Sequence, residues 1–346
     1  MQAPNISTTM QRKIYLLKSG NLRNLQQSTH NLPNPAADEV QVAIKAIGLN
    51  FADLFAIWGL YKAAPKEAFT PGLEYAGEVI AKGADVDQVQ VGDRIMGVTK
   101  FGAYATHLNI DARYVTPIPT DWTYEEGASY LVQALTAYYG LKYLGQLESG
   151  QIVLIHSAAG GVGIWANRIA QKMGAYTIGT VGSASKLSLL EKEGYDKGLV
   201  RSSNFQADLK NALGQKPLNL VMECIGGKIL KVSYEQLAPQ GRMVVYGSAR
   251  YSSNRDKPNI FSLLYKFLTR PKIDPQGMTN TNRAVLGFNL IYLYEQASLM
   301  AQLLEEMAAL DLGRPVVGHT FSFDQLPEAI RLFRTGKTTG KVVVKV

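Results

Sequence analysis

Cysteine is almost absent from this chain: its 346 residues include one, Cys224. A lone cysteine excludes an internal disulfide and any zinc lobe built on several thiolates. No apolar run approaches the ~20 residues that a membrane-spanning helix needs, and the start, residues 1–12, lacks the apolar stretch of a secretory signal. These absences make the cytoplasm the expected location. The four histidines, His30, His107, His156 and His319, show no metal-ligand spacing and read as packed or surface side chains. Repeats and low-complexity tracts are missing as well. With 46% hydrophobic and 18% charged residues the composition is that of a globular protein, and 346 residues suit two domains better than one core.

What is present is a strand, a glycine turn and a helix in immediate succession. Ile152-Val-Leu-Ile-His-Ser runs into Ala158-Ala-Gly-Gly-Val-Gly163, and Ile164, Trp165, Ile169, Ala170 and Met173 then recur at helical spacing. This order lets backbone N–H groups and a helix N-terminus hold a pyrophosphate. Ala158 stands where the usual fingerprint has its first glycine. Gly160 leaves room for backbone to approach phosphate, and Gly163 lets helix and strand pack closely. Ala159, Gly160, Gly161, Val162 and Gly163 are therefore the expected dinucleotide contacts.

A second absence narrows the cofactor. NAD sites place an acid about 20 residues past the glycines, to accept from the ribose 2′-OH. Here residues 176–186, Tyr-Thr-Ile-Gly-Thr-Val-Gly-Ser-Ala-Ser-Lys, contain no acid. Ser183 and Lys186 instead offer a donor and a cation to a 2′-phosphate, and Arg201, just past the next strand, offers a second charge. The expected cofactor is NADPH. The plainer alternative is that Lys186 and Arg201 are solvated surface charges.

Before this motif the chain reads as strands and turns: residues 40–47 alternate, 78–81 and 94–98 are short strands, and Gly83, Gly92 and Gly102 punctuate them. From about residue 124 helices and strands alternate. Strands are expected at 151–157, 176–181, 197–202, 218–224, 241–248 and 284–291, and helices at 125–144, 161–173, 185–193, 204–213, 297–310 and 326–334, before a last strand at 341–346. The fold class is α/β, a doubly wound parallel sheet attached to a smaller β domain.

Basic residues exceed acidic ones by 36 to 28. Residues 250–283 hold seven of the cations against two acids, around the apolar run Ile260-Phe-Ser-Leu-Leu-Tyr-Lys-Phe-Leu268. A lid or interface insertion with a solvated basic face is the expectation. Contact with a membrane surface or RNA is the alternative.

The pattern resembles the zinc-free quinone oxidoreductase branch of the medium-chain dehydrogenase/reductase superfamily. The resemblance rests on Gly48-Leu-Asn-Phe-Ala-Asp53, Pro71-Gly-Leu-Glu-Tyr-Ala-Gly-Glu78, Gly92-Asp-Arg94, Leu135-Thr-Ala-Tyr138 and the Ala158–Gly163 turn. Within the branch it is similar to the vesicle amine transport protein group through Ser183-Ala-Ser-Lys186, Tyr246-Gly247 and Asn282-Arg-Ala-Val-Leu-Gly-Phe288. The likeness implies a GroES-like β-rich substrate domain (1–130 with 298–346), a Rossmann domain inserted at 131–297, and an active site in the cleft between them. It also implies a homodimer formed by pairing the last strand of the cofactor sheet.

Zinc-dependent members carry Cys where this chain has Asn50 and His where it has Leu73, so no metal is expected. By the same likeness, Asn50 faces the nicotinamide and donates to a substrate carbonyl, Tyr61 donates to that oxygen or stacks beside it, and Asp53 orients its neighbours. Thr136, Gly247, Ser248, Phe288 and Asn289 are expected beside the cofactor. For Asn50 and Asp53 the alternative is satisfying turn backbone, and for Tyr61 simple packing. Glu74 is expected to support the local fold, and Cys224 to be an inert buried thiol. The implied activity is NADPH-dependent reduction of quinones or related α,β-unsaturated carbonyls. Reduction of alkenals or enoyl thioesters, or a cofactor-binding interaction protein with little turnover, are the rivals.

Overall fold

The computed structural model describes residues 10–346; the polar start considered above lies, for residues 1–9, outside them. The chain divides into two compact units. Of the described residues, one comprises 10–132, 254–257 and 314–346, the other 133–253 and 258–313.

The first unit is built mainly on antiparallel strands, with one parallel pairing at the edge of its larger sheet. β1 (Met10–Leu17) and β2 (Leu25–Leu32) form a hairpin joined by a short 3-10 turn. The larger sheet has the order β14 (Val317–Ser322), β15 (Lys341–Lys345), β3 (Glu39–Gly48), β4 (Glu74–Lys82), β5 (Arg94–Val98) and β7 (Val115–Pro117), with β6 (His107–Asp111) also paired to β3. The final segment thus supplies two of its strands, as β15 runs antiparallel to β3 with Val344 opposite Ile47. Strand β3 is nearly all buried, which is why its alternation at 40–47 is imperfect: both faces meet protein.

The second unit is the doubly wound sheet. β10 (Lys197–Val200), β9 (Tyr176–Val181), β8 (Ile152–His156), β11 (Leu218–Glu223), β12 (Leu237–Val245) and β13 (Ala284–Gly287) lie in that order, all parallel. Numbered from β8, this is the 3-2-1-4-5-6 order of a dinucleotide fold. Ile152, Leu154, Ile178, Val221 and Met243 pack under Phe205 and Leu209 from the helix Phe205–Leu213.

Three local expectations change. The single helix expected at 125–144 is Tyr124–Gly127, then Leu131–Tyr138, then a π-helical turn at Tyr139–Leu144. Gly140 lies in that turn, and a Cβ there would come within 2.6 Å of Met222 Cε. The sixth strand stops at Gly287, so Phe288 and Asn289 follow it rather than lie on it; Leu290–Leu293 coils into a 3-10 turn instead. The helix Ala297–Ala308 belongs to the second unit, although the resemblance assigns 298 onward to the first. Its Glu306 accepts hydrogen bonds from the hydroxyls of Tyr138 (2.8 Å) and Tyr143 (3.0 Å), which ties it there.

Candidate functional site: a dinucleotide cradle and a buried polar cluster

In the second unit the expected cofactor residues, Thr136 apart, follow the carboxyl ends of the parallel strands. The turn 157–163 follows β8, residues 182–186 follow β9, and Arg201 follows β10. Gly247 and Ser248 follow β12, and Phe288 and Asn289 follow β13. That edge is where open α/β sheets take ligands.

The turn is shaped by close backbone contacts. Ser157 adopts a left-handed conformation (φ 53°), which swings the chain out of the strand, and Gly160 N–H closes the turn onto Ser157 O at 2.8 Å. Gly160 caps the helix Gly161–Lys172 in extended conformation. The N–H groups of Gly161, Val162 and Gly163 belong to the first helical turn, where no intrahelical acceptor exists, so they present an anion site. A Cβ on Gly163 would lie 2.5 Å from Ser157 O and 2.7 Å from Ala158 Cα, so glycine is required for the helix to sit this close to the strand. At Gly161 a Cβ would strike the buried Gln133 side chain. Ala158 itself is fully buried, and its N–H donates to Thr180 O (3.0 Å), so a methyl fits where the fingerprint has its first glycine.

Beside this turn the sequence-expected cations converge. Arg201 Nη1 donates to both Thr180 O and Thr180 Oγ1 at 2.9 Å. Its other amino group lies against Gly182, where a Cβ would be 3.4 Å away. The Lys186 ammonium is held below its usual pKa by burial and then by the Arg201 charge, which places two cations near one another. Ser183 caps the short turn Ala184–Lys186, with its hydroxyl 2.9 Å from that of Ser185. Among the described residues Arg201 makes no ion pair.

Two residues with no site role expected from the sequence, His156 and Glu223, lie at this edge beside several of the expected ones. His156, fully buried, lies 2.7 Å from Thr180 Oγ1 through Nδ1 and 2.9 Å from Ser233 Oγ through Nε2. Burial, then the Arg201 charge, lowers its pKa to about 3, so it is neutral. Glu223 Oε1 accepts from the backbone N–H groups of Ile225 (2.6 Å) and Gly226, while Oε2 is buried without a hydrogen bond. Burial raises this carboxyl to about 7. Cys224 is half-buried, its thiol 3.8 Å from His156 O, and desolvation followed by the Glu223 charge pushes it up to about 11, so it stays protonated. Thr136 is buried in the helix Leu131–Tyr138. Gly247 abuts Cys224 Cβ at a distance that a Cβ would reduce to 3.4 Å, Ser248 faces Gly226, and the Phe288 ring packs on Tyr139 at 5.1 Å.

In the first unit, Asn50, Asp53 and Glu74 come together, but not as a waiting substrate site. Asn50 Nδ2 donates to Gly48 O (3.2 Å) and Glu74 Oε2 (3.4 Å), and its Oδ1 accepts from Lys341 Nζ (2.9 Å). This corrects the expectation of an Asn50 amide available to a carbonyl: both N–H groups are spent inside the fold. Asp53 Oδ2 accepts from the Asn50 backbone N–H (2.8 Å) and the Tyr104 hydroxyl (2.9 Å), starting the helix Phe51–Ile57, and Oδ1 is buried without a partner. Burial raises its carboxyl to about 6. Glu74 also accepts from Val132 N–H (3.0 Å) and pairs with Lys341, so it does support the local fold. Tyr61 stands apart from this cluster, half-buried, with its ring edge-on to Phe101 at 6.4 Å.

The positions where zinc-dependent members carry ligands hold no free donor here. Asn50 is consumed as described, Leu73 has no ligand atom, and among the described residues no group of three His, Cys, Asp or Glu could hold a metal ion.

Comparison with known proteins agrees with both units. Residues 161–306 match the family described as zinc-binding dehydrogenase, and residues 36–120 match the alcohol dehydrogenase GroES-like domain. The human synaptic vesicle membrane protein VAT-1 homolog is 32% identical over 315 residues, covering 90% of this chain and 80% of that protein. The Escherichia coli quinone oxidoreductase solved with NADPH superposes with a TM-score of 0.83 at 26% identity, over 97% of this chain and 100% of that one. The CurK enoyl reductase superposes with a TM-score of 0.83 at 28% identity, over 96% and 99% of the two chains. A GroES-like unit, a 3-2-1-4-5-6 parallel sheet and these relatives together show that the chain belongs to the quinone oxidoreductase branch of the medium-chain dehydrogenase/reductase superfamily, near the VAT-1 homologues.

Proposed function

We propose that this chain is an NADPH-dependent, zinc-independent reductase of quinones or related α,β-unsaturated carbonyls. The observation that carries the reading is the pair of cations, Arg201 and Lys186, at a turn that has no carboxylate. A 2′-phosphate needs donors and positive charge there, and an acid would repel it. The pyrophosphate falls to the N–H groups of Gly161, Val162 and Gly163, with Ala159 and Gly160 forming the approach. Thr136, Gly247, Ser248, Phe288 and Asn289 complete the contacts in this reading. When bound, the nicotinamide supplies a hydride; the protein supplies orientation and keeps water out.

Asn50 is committed to Lys341 and Glu74, and in this reading the Tyr61 phenol meets charge on the acceptor oxygen. Asp53 acts through the fold, by fixing Asn50 and Tyr104. The enoyl reductase relative favours a second acceptor class, alkenals or enoyl thioesters, which need the same hydride geometry. NADPH consumption with a quinone panel, an enone and an enoyl thioester, each with and without a chelator, separates these classes. Turnover unaffected by the chelator is expected. Measurable NADPH binding without turnover of any acceptor would leave an interaction protein as the better reading.

Partners follow from two surfaces of the second unit. β13 is the open edge of its sheet, suited to pairing with a second copy. The helix Ile260–Leu268 exposes Ile260, Phe261, Leu264, Tyr265, Phe267 and Leu268, with Phe261 78% exposed. In sequence this helix lies within the cation-rich run 250–283, and Arg270 stacks on Phe267 at 3.7 Å. Apolar and aromatic side chains beside cations fit an anionic membrane surface better than RNA, which would need polar donors toward its phosphates. Among the described residues no helix is long and apolar enough to cross a membrane. A cytoplasmic location goes with this reading.

A further inference from the structure

The Arg201 guanidinium sits at the end of a hydrogen-bond chain whose direction can be worked out. Ser233 Oγ is 2.8 Å from Ile229 O, one helical turn back, and a carbonyl can only accept. The single hydroxyl proton of Ser233 is therefore spent on Ile229. Its oxygen must accept from His156 Nε2–H at 2.9 Å. A neutral imidazole with its proton on Nε2 leaves Nδ1 as an acceptor, which the Thr180 hydroxyl fills at 2.7 Å. The Thr180 proton then points at His156, and its lone pairs face the Arg201 Nη1 donor at 2.9 Å. The series Arg201, Thr180, His156, Ser233, Ile229 donates in one direction throughout, and His156, Thr180 and Ser233 are all fully buried. Each polar atom of the side chains between the two ends has a partner, so the arrangement is rigid where solvent cannot substitute.

We propose that Thr180 and His156 are positioning residues that hold the Arg201 guanidinium against Gly182 for the 2′-phosphate of the cofactor. The inference rests on the NADPH reading above. A guanidinium on a flexible side chain would lose rotamer freedom on meeting a phosphate; one already held by Thr180 O and Thr180 Oγ1 has little left to lose. The buried histidine then has a use that its chemistry alone does not suggest: as a neutral acceptor it turns the Thr180 hydroxyl toward itself and away from the cation.

Calorimetric titration of NADPH and NADH into the full chain tests this, comparing the wild type with Arg201→Gln, Thr180→Val, Thr180→Ser and Ser233→Ala. Arg201→Gln is expected to weaken NADPH roughly 100-fold while NADH is unchanged, the scale of a lost charge-assisted contact. Thr180→Val, near-isosteric but without the hydroxyl, is expected to weaken NADPH alone by about tenfold, and Thr180→Ser to restore it. Ser233→Ala, at the far end of the chain, gives a smaller loss of the same NADPH-selective kind and serves should Thr180→Val not fold. If Arg201→Gln is selective but Thr180→Val and Ser233→Ala weaken both nucleotides equally, or neither, the positioning role is overturned and the cofactor reading stands. If Arg201→Gln leaves the NADPH-to-NADH ratio unchanged, the cofactor reading fails and the positioning role with it.

Discussion

Lys341 Nζ lies 2.5 Å from Glu74 Oε2, a fully buried ion pair between residues 267 positions apart. Lys341 opens the last strand and Glu74 opens β4, so the pair pins the returning end of the chain into the unit formed by its first third. The same ammonium donates to Asn50 Oδ1, and the Val132 N–H donates to Glu74 Oε1, so the charges are embedded in neutral dipoles. Burying two charges is costly unless each is paired and hydrogen-bonded, and here both are.

Removing one partner strands the other. Lys341→Met should cost about 3–5 kcal/mol in urea unfolding, and the double variant with Glu74→Gln should recover part of that loss because no lone charge remains. Equal losses in the single and double variants would show that packing, not charge, dominates at this position.

Asp53 and Glu223 give the fold a pH dependence. Both are buried, and burial lifts their carboxyls from ordinary values of 3.8 and 4.5 to about 6 and about 7. The folded state therefore binds these protons more tightly than the unfolded chain. Their stabilising contribution is complete below about pH 4 and is lost as pH rises through 6 for Asp53 and 7 for Glu223. Glu223→Gln keeps the Oε1 acceptor for Ile225 and Gly226 and cannot ionise. Its unfolding free energy should decline less between pH 5 and 8, by up to about 3 kcal/mol. A parallel pH profile for wild type and variant would contradict this.

Asn50 and Tyr61 should separate in kinetics. Tyr61→Phe should lower kcat by roughly 10²–10⁴-fold, the range for a lost proton donor. Asn50→Ala removes the acceptor for Lys341 and should lower Tm by several degrees. The reverse pattern, a stable Asn50→Ala without turnover and a fully active Tyr61→Phe, would return the carbonyl contact to Asn50.

The alternation of strands and helices along the chain, the glycine turn and the absence of an acid after β9 are legible in the chain because each depends on local pattern. Strand period, turn residues and a missing charge need no tertiary context. The role of Asn50 is not legible, because its partners Lys341 and Glu74 are remote in sequence and a lysine beginning Lys-Val-Val-Val-Lys looks like an exposed strand end. His156 hides for a similar reason. In an apolar strand it looks like a packed histidine, which it is, and only Thr180 and Ser233 on either side of its ring reveal its direction. The β1–β2 hairpin escaped notice because its outer residues, such as Gln26 and Gln27, are polar and exposed.

The exposed helix Ile260–Leu268 should bind vesicles. Sedimentation with phosphatidylserine-containing vesicles, but not with phosphatidylcholine alone, is expected, falling with salt. Phe261→Ser with Leu264→Ser should abolish it while leaving NADPH binding intact. Retained vesicle binding in that variant, or binding to RNA instead, would refute a membrane-facing role for this helix.

The most direct measurement is the steady-state rate of quinone reduction with NADPH and with NADH at matched concentrations, in wild type and Arg201→Gln. An NADPH-dependent reductase gives a kcat/KM ratio strongly in favour of NADPH that collapses in Arg201→Gln, with the NADH rate nearly unchanged. Equal use of the two nucleotides by the wild type, or a preference that survives loss of Arg201, would contradict it.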